Sequence, residues 1–184
     1  MPFSFEHPPI DGLVVVHPQR FEDDRGWFME SYRCSAFVEA GIPDAFVQDN
    51  YSRSGAGVLR GLHFQLPPHA QGKLIWVVRG RVWDVAVDIR SESPTYRQWY
   101  GMELSEESLS LFYIPPGFAH GFCALTDDTR FHYKCTAEYD QASERGIRFD
   151  DPDLGIEWPV QYPILSERDA ALPRLVDFER EFHG

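Results

Sequence analysis

The chain has 184 residues, enough for one domain with a substantial core, and its 43% hydrophobic and 15% aromatic content marks a globular protein. A net charge of −12 argues against nucleic acid as a partner, but not against a small anionic ligand held by a few local Arg and Lys side chains. No apolar run approaches transmembrane length, and Cys34, Cys123 and Cys135 form no C-x-x-C pair, so reduced thiols in a cytoplasmic protein away from membranes are expected.

Residues 1–9, rich in Pro and Phe, read as irregular. Leu13-Val14-Val15-Val16 is a short strand ended by His17-Pro18. A polar turn from Glu22 to Gly26 precedes an alternating strand from Trp27 to Tyr32. Ser35 to Ala40 is a helix candidate, with Ser35 as N-cap and Gly41 closing it. Ala45 to Ser52 is strand-like and carries Gln48, Asp49 and Asn50 together.

Val58 to Gln65 reads as a strand with an Arg and a His in an oily run. Strict alternation sets Leu59, Gly61, His63 and Gln65 on one face and Arg60 on the other. Arg60 and His63 share a site only if the strand kinks, and Gly61 is where a bulge costs least. The alternative is a structural His beside a surface Arg. A Pro-rich loop follows from Leu66 to Gly72.

Lys73 to Arg79 and Val82 to Ile89 are the clearest strands, and Gly80-Arg81 between them suggests a tight hairpin. Asp84 either points inward and needs a cation, Lys73 being one possibility, or faces water. Tyr96–Glu103, Ser110–Ile114, Gly121–Leu125 and Arg130–Thr136 continue the short strands, a spacing that indicates an all-β sandwich or barrel. After a loop from Asp150 to Pro159, Ser166 caps one turn of helix, and an acidic amphipathic tail starts at Arg174. With no repeat and no linker, residues 1–184 read as a single domain.

His63 and His120 are the histidines inside ordered strand signals. A metal-binding cupin offers His-x-His followed by Glu, whereas here the stretch is His63-Phe64-Gln65, so the ligand count falls short of a metal site. Without a metal, His63 is the natural proton acceptor for a C–H next to a carbonyl, with Lys73 stabilising the enolate oxygen. Tyr133 can return a proton to the opposite face, although strand tyrosines usually serve as core. Arg25, Arg60 and Arg168 are candidates for phosphate, each alone reading as a surface arginine.

Between about Leu13 and Pro173 stand, in order, Asp24-Arg25-Gly26-Trp27-Phe28-Met29-Glu30, Phe46-Val47-Gln48-Asp49-Asn50, Gly57 to Gln65, Gln71-Gly72-Lys73, Phe118-Ala119-His120-Gly121-Phe122, Tyr133-Lys134-Cys135-Thr136, Asp151-Pro152-Asp153 with Trp158-Pro159, and Leu165-Ser166-Glu167-Arg168-Asp169. On these residues the chain resembles the dTDP-4-dehydrorhamnose 3,5-epimerase family of cofactor-free cupins. The resemblance implies an all-β, cupin-type double-stranded β-helix (jelly roll) with a few short peripheral helices. It implies His63 as general base oriented by Asp169, Lys73 at the enolate oxygen and Tyr133 as acid. Arg25, Arg60 and His120 would hold the diphosphate or sugar. Glu30, Gln48 and Asn50 would read the nucleotide, Tyr139 would stack on thymine, and Glu144 and Arg168 would add further contacts. It also implies a dTDP-sugar substrate, no cofactor and no metal, and a homodimer that exchanges N-terminal strands. Trp27 stands where Phe or Tyr is expected, and Arg168 where Lys is common. The family includes enzymes that invert only C3 or only C5, and a sugar-nucleotide-binding cupin without activity is a further reading.

Overall fold

Alternation along the strands decides the architecture in the computed structural model, which describes residues 2–42 and 45–183. The strands are β1 (Phe3–Glu6), β2 (Val14–Pro18), β3 (Arg20–Asp23), β4 (Gly26–Met29), β5 (Gln48–Ser54), β6 (Leu59–Gln65) and β7 (Lys73–Arg79). They continue as β8 (Arg81–Asp88), β9 (Trp99–Ser105), β10 (Leu111–Ile114), β11 (Phe118–Ala124), β12 (Thr129–Cys135) and β13 (Glu144–Gly146). Three short helices, α1 (Cys34–Glu39), α2 (Glu167–Ala170) and α3 (Leu175–His183), lie at the periphery.

A six-stranded sheet runs β1-β2-β10-β7-β12-β5, and a five-stranded sheet runs β13-β6-β11-β8-β9. Val15, Ile75, Val77, Phe112, Ile114 and Phe131 from the first meet Val82, Ala86, Leu104, Phe118 and Phe122 from the second in one buried layer. Their neighbours in sequence point outward. Val14, Val16, Leu74, Leu111 and Tyr113 gather with Phe37 of α1, and Leu62, Phe64, Val85 and Val87 with Leu175 and Phe178 of α3. The arrangement is the cupin-like jelly roll that the resemblance implies.

The same parity places the chemistry. Lys73 shares a face with Ile75 and Val77, Asp84 lies between Val82 and Ala86, and His120 lies between Phe118 and Phe122. Tyr133 stands two residues beyond Phe131 and packs against the same layer. All four point between the sheets.

Four expectations need correction. Residues 1–9 are not irregular throughout: Phe3–Glu6 pairs antiparallel with β2, and Phe3 is buried (Met1 lies outside the described residues). The strand expected from Trp27 to Tyr32 stops at Met29 and pairs with β3. Ser35 is not the N-cap of α1; Arg33 holds that position without a side-chain bond, while Gly41 does close the helix at φ +86°. Finally, β7 and β8 form no hairpin. They belong to different sheets, and Gly80, at φ +79° with Thr126 and Thr129 where a Cβ would go, carries the chain across.

Candidate active site

A cavity of about 510 Å³ opens at the polar end of the inter-sheet layer. From the five-stranded sheet it receives Arg60, His63, His120 and Glu144, and from the six-stranded sheet Gln48, Asn50, Lys73 and Tyr133. Tyr139, Arg168 and Asp169 complete the sequence-predicted set that reaches it.

The kink expected at Gly61 is present. Gly61 has φ +126°, and a Cβ there would sit 2.5 Å from Gly121 Cα. The ladder between β6 and β11 pairs His63 with His120 and then slips its register before Arg60 meets Phe122. Arg60 and His63 therefore line one cavity despite their odd spacing.

His63 Nε2 lies 2.7 Å from Asp169 Oδ1. Asp169 arrives from α2, whose N-cap Ser166 accepts a bond from the Asp169 N–H at 3.0 Å. Burial pushes the Asp169 carboxyl up, but the bond and charge of His63, with Ser166 and the Gly61 backbone, outweigh it and hold the pKa below the ordinary value. An ionised Asp169 fixes Nε2 as the protonated nitrogen and leaves Nδ1 as the basic one.

Lys73 is 9% exposed and donates to the His63 carbonyl at 3.3 Å. No carboxylate pairs with it directly among the described residues. Burial lowers its pKa, and the fields of Asp84 and Glu144 oppose that fall. Burial also pushes Tyr133 up to about 12, with Arg60 opposing, so the phenol keeps its proton across the working range of most enzymes.

Asp84 is buried, as the inward reading required. Its direct partner is not Lys73 but His120, whose Nε2 lies 3.1 Å from both carboxylate oxygens. Lys73 acts on Asp84 only through the field.

The arginines differ in what they have free. Arg168 is bound to Glu144 at 2.6 Å and Arg25 to Asp23 at 2.5 Å. Arg60 bonds only neutral groups, Ser54 Oγ at 3.2 Å and the Arg53 carbonyl at 3.4 Å, and has no carboxylate partner among the described residues. Tyr139 is half exposed at the rim, with its hydroxyl donating to Glu144 at 2.7 Å and its N–H to Gln48 Oε1 at 2.7 Å. The Gln48 amide in turn donates to Asn50 Oδ1 at 3.1 Å.

Arg25 and Glu30 do not line this cavity in the single chain. Arg25 sits at the tip of the β3–β4 hairpin, a separate sheet whose side chains are largely exposed, and Glu30 just beyond it is tied to Arg33 at 2.6 Å. Local pairing between short strands fixes the hairpin, and none of its residues lines the cavity.

Sequence reading missed the glutamines that hold the cavity wall. Gln65 donates to the carbonyls of His69 and Glu138 and accepts from the Asp140 N–H at 2.8 Å, and Gln71 donates to the Ala137 carbonyl at 2.8 Å. These bonds set the 137–140 loop that carries Tyr139. The parity of Gln65 with His63 was the available signal. Among the described residues no three His, Cys, Asp or Glu side chains gather as a metal site, and the cysteines are free.

With a polar cavity opening from the buried layer of a jelly roll, the protein is a cupin-like enzyme. Residues 7–177 match the family model for dTDP-4-dehydrorhamnose 3,5-epimerase, and the chain belongs to that family. It is 51% identical over 169 residues to the dTDP-4-dehydrorhamnose 3,5-epimerase of Shigella flexneri, covering 91% of this chain and 93% of the relative. A solved structure of the dTDP-6-deoxy-D-glucose-3,5-epimerase of Legionella pneumophila with dTDP-4-keto-L-rhamnose superimposes at a TM-score of 0.93, with 47% identity over 97% of this chain and 96% of the other. The dTDP-4-dehydrorhamnose 3-epimerase of Streptomyces niveus is 42% identical over 87% of this chain and 78% of its own.

Proposed function

We propose that the protein inverts C3 and C5 of dTDP-4-dehydro-6-deoxy-D-glucose, giving dTDP-4-dehydro-L-rhamnose for dTDP-L-rhamnose biosynthesis. The observation that carries this is the placement of His63 and Tyr133 on opposing sheets around one cavity. Inversion needs a proton taken from one face of a carbon and returned on the other, and a base and an acid on opposite walls have that relation.

The 4-keto group acidifies the hydrogens on C3 and C5. His63 takes one of them as a proton, and the C–H electrons move into the carbonyl to give an enolate. Lys73 holds the enolate oxygen. A buried ammonium without a direct carboxylate partner is already desolvated, so its attraction for the new charge is strong. Tyr133 then protonates the carbon from the far side. The turnover ends when solvent takes the proton on His63 and restores the one on Tyr133. The carbonyl is part of the substrate, so the reaction calls for no cofactor and no metal.

Arg60, with no carboxylate to neutralise it among the described residues, suits the diphosphate. His120 stands at the sugar or diphosphate. Gln48 and Asn50 read the nucleotide, Tyr139 stacks on the base, and Glu144 and Arg168 add further substrate contacts. The protein acts as a cytoplasmic homodimer, without nucleic acid or membrane as partner; no helix among the described residues is long and apolar enough to cross a membrane. In that dimer the hairpin carries Arg25 and Glu30 to the partner subunit's cavity. This is supported by the exposure of Phe21, Trp27 and Phe28 on the same hairpin.

Turnover in deuterated water, read by NMR of the product, is the test. Label at both C3 and C5 is expected. Label at a single carbon means a mono-epimerase like the Streptomyces niveus relative, and binding without label means a non-catalytic sugar-nucleotide cupin.

A further inference from the structure

His120 reaches the cavity with one ring nitrogen already committed. Its Nε2 meets both oxygens of Asp84 at 3.1 Å, and Asp84 is fully buried. An ionised carboxylate only accepts, so this bond requires the proton on Nε2. The ring also lies nearly parallel to Phe131, at 14° with centroids 6.2 Å apart, so its plane is fixed as well as its edge. What remains for the cavity is Nδ1, which has no protein partner among the described residues and is not among the sealed polar atoms.

The state of the ring decides what Nδ1 can do. Burial lowers the His120 pKa against the pull of Asp84, and the positive charges of Lys73 and His63 lower it further. A neutral ring with Nε2–H presents a lone pair at Nδ1. Phosphate oxygens of a nucleotide-sugar diphosphate carry no hydrogen near neutral pH and cannot donate to it, whereas a sugar hydroxyl can. The cavity's carboxylates are engaged elsewhere, Asp169 by His63 and Glu144 by Tyr139 and Arg168.

We infer that His120 accepts a hydrogen bond from a ring hydroxyl of the bound sugar through Nδ1, and that Asp84 is the positioning residue that fixes the tautomer able to do so. This rests on the epimerase reading and narrows it: His120 belongs to the sugar, not to the diphosphate. Asp84 also serves Lys73 as a buried counter-charge through the field, so loss of activity on changing Asp84 does not by itself test the idea.

The test is NMR of the whole protein with 15N-labelled histidine. Near neutral pH the free enzyme should show His120 protonated at Nε2 and bare at Nδ1, with the signals assigned from their loss in His120→Asn. Adding dTDP-glucose should move Nδ1 toward the position of a hydrogen-bonded nitrogen, while dTDP alone should leave it in place. Asp84→Asn should lose affinity for dTDP-glucose by about tenfold and keep its affinity for dTDP. An Nδ1–H tautomer or an imidazolium in the free enzyme overturns the inference. So does an Nδ1 shift with dTDP equal to that with dTDP-glucose, or an equal loss of both ligands in the variant. If Asp84→Asn does not fold, the wild-type spectra decide alone. Deuterium uptake by wild-type enzyme separates this question from the activity: the expected His120 behaviour without uptake removes the epimerase and leaves the sugar contact.

Discussion

The cavity between the sheets and the β3–β4 hairpin were both read as substrate-binding, yet they treat their charges in opposite ways. In the cavity, Asp84, Asp169 and Lys73 are buried, and burial is the leading influence on Lys73, Tyr133, His120 and Asp169. On the hairpin, the Arg25 side chain is 89% exposed and paired with Asp23 two residues away. A charge held at the expense of its hydration does something that water cannot. A solvated pair is weakly held and free to exchange partners. On the proposed reading the cavity carries out its chemistry within one chain, whereas the hairpin serves a surface of the partner subunit.

That contrast predicts large effects inside and small ones outside. His63→Ala should lower kcat by about 10³-fold and abolish deuterium exchange into the 4-keto sugar, because removal of the base stops the first step at both carbons. Exchange at the wild-type rate in that variant would take His63 out of the mechanism. Lys73→Met should cost about 10²-fold or more in kcat while retaining dTDP binding, since the ammonium acts mainly on charge that appears with the enolate. An equal loss in dTDP affinity would instead make Lys73 a phosphate ligand.

Lys73 also sets a pH dependence. In the proposed mechanism only its protonated form can stabilise the enolate, and burial lowers its pKa, so kcat should fall as pH rises through a value below that of an ordinary lysine. Tyr133, raised to about 12, is still protonated there. The alkaline limb should therefore persist in Tyr133→Phe. That variant should lose about 10²-fold in turnover, keeping exchange but losing inversion at one centre. Unchanged product stereochemistry would remove Tyr133 as the acid.

What the chain disclosed in advance follows a similar division. The sandwich was legible because period-two alternation is a local property. The kink at Gly61 was legible because Arg60 and His63 cannot otherwise share a face. The Ser166 cap was legible because its signal spans four positions, and that cap places Asp169. The His63–Asp169 pair itself joins residues 106 apart, a distance no spacing rule crosses, and it came from the family resemblance. The supposed β7–β8 hairpin failed for a physical reason. A glycine between two good strands marks a reversal equally well within a sheet or between sheets, and only the facing layers choose. Residues 1–9 hid a strand because Phe3–Glu6 takes its ladder from β2 and advertises little alternation of its own.

The smallest effect should come from the hairpin, and it sharpens the comparison most. Arg25→Ala should raise KM by about tenfold with kcat unchanged, the signature of a contact made equally in the ground and transition states. If the hairpin serves the neighbouring cavity, that defect can be complemented. In a mixed dimer of Arg25→Ala and His63→Ala protomers, the Arg25→Ala protomer keeps its own His63 and receives an intact Arg25 from its partner. One of its two cavities is then complete. Co-expressed and purified as the mixed species, such dimers should recover a wild-type KM at about half the wild-type kcat per dimer. Arg25 acting within its own chain would leave every cavity defective, one lacking its base and the other its arginine, and the raised KM would persist in the mixture.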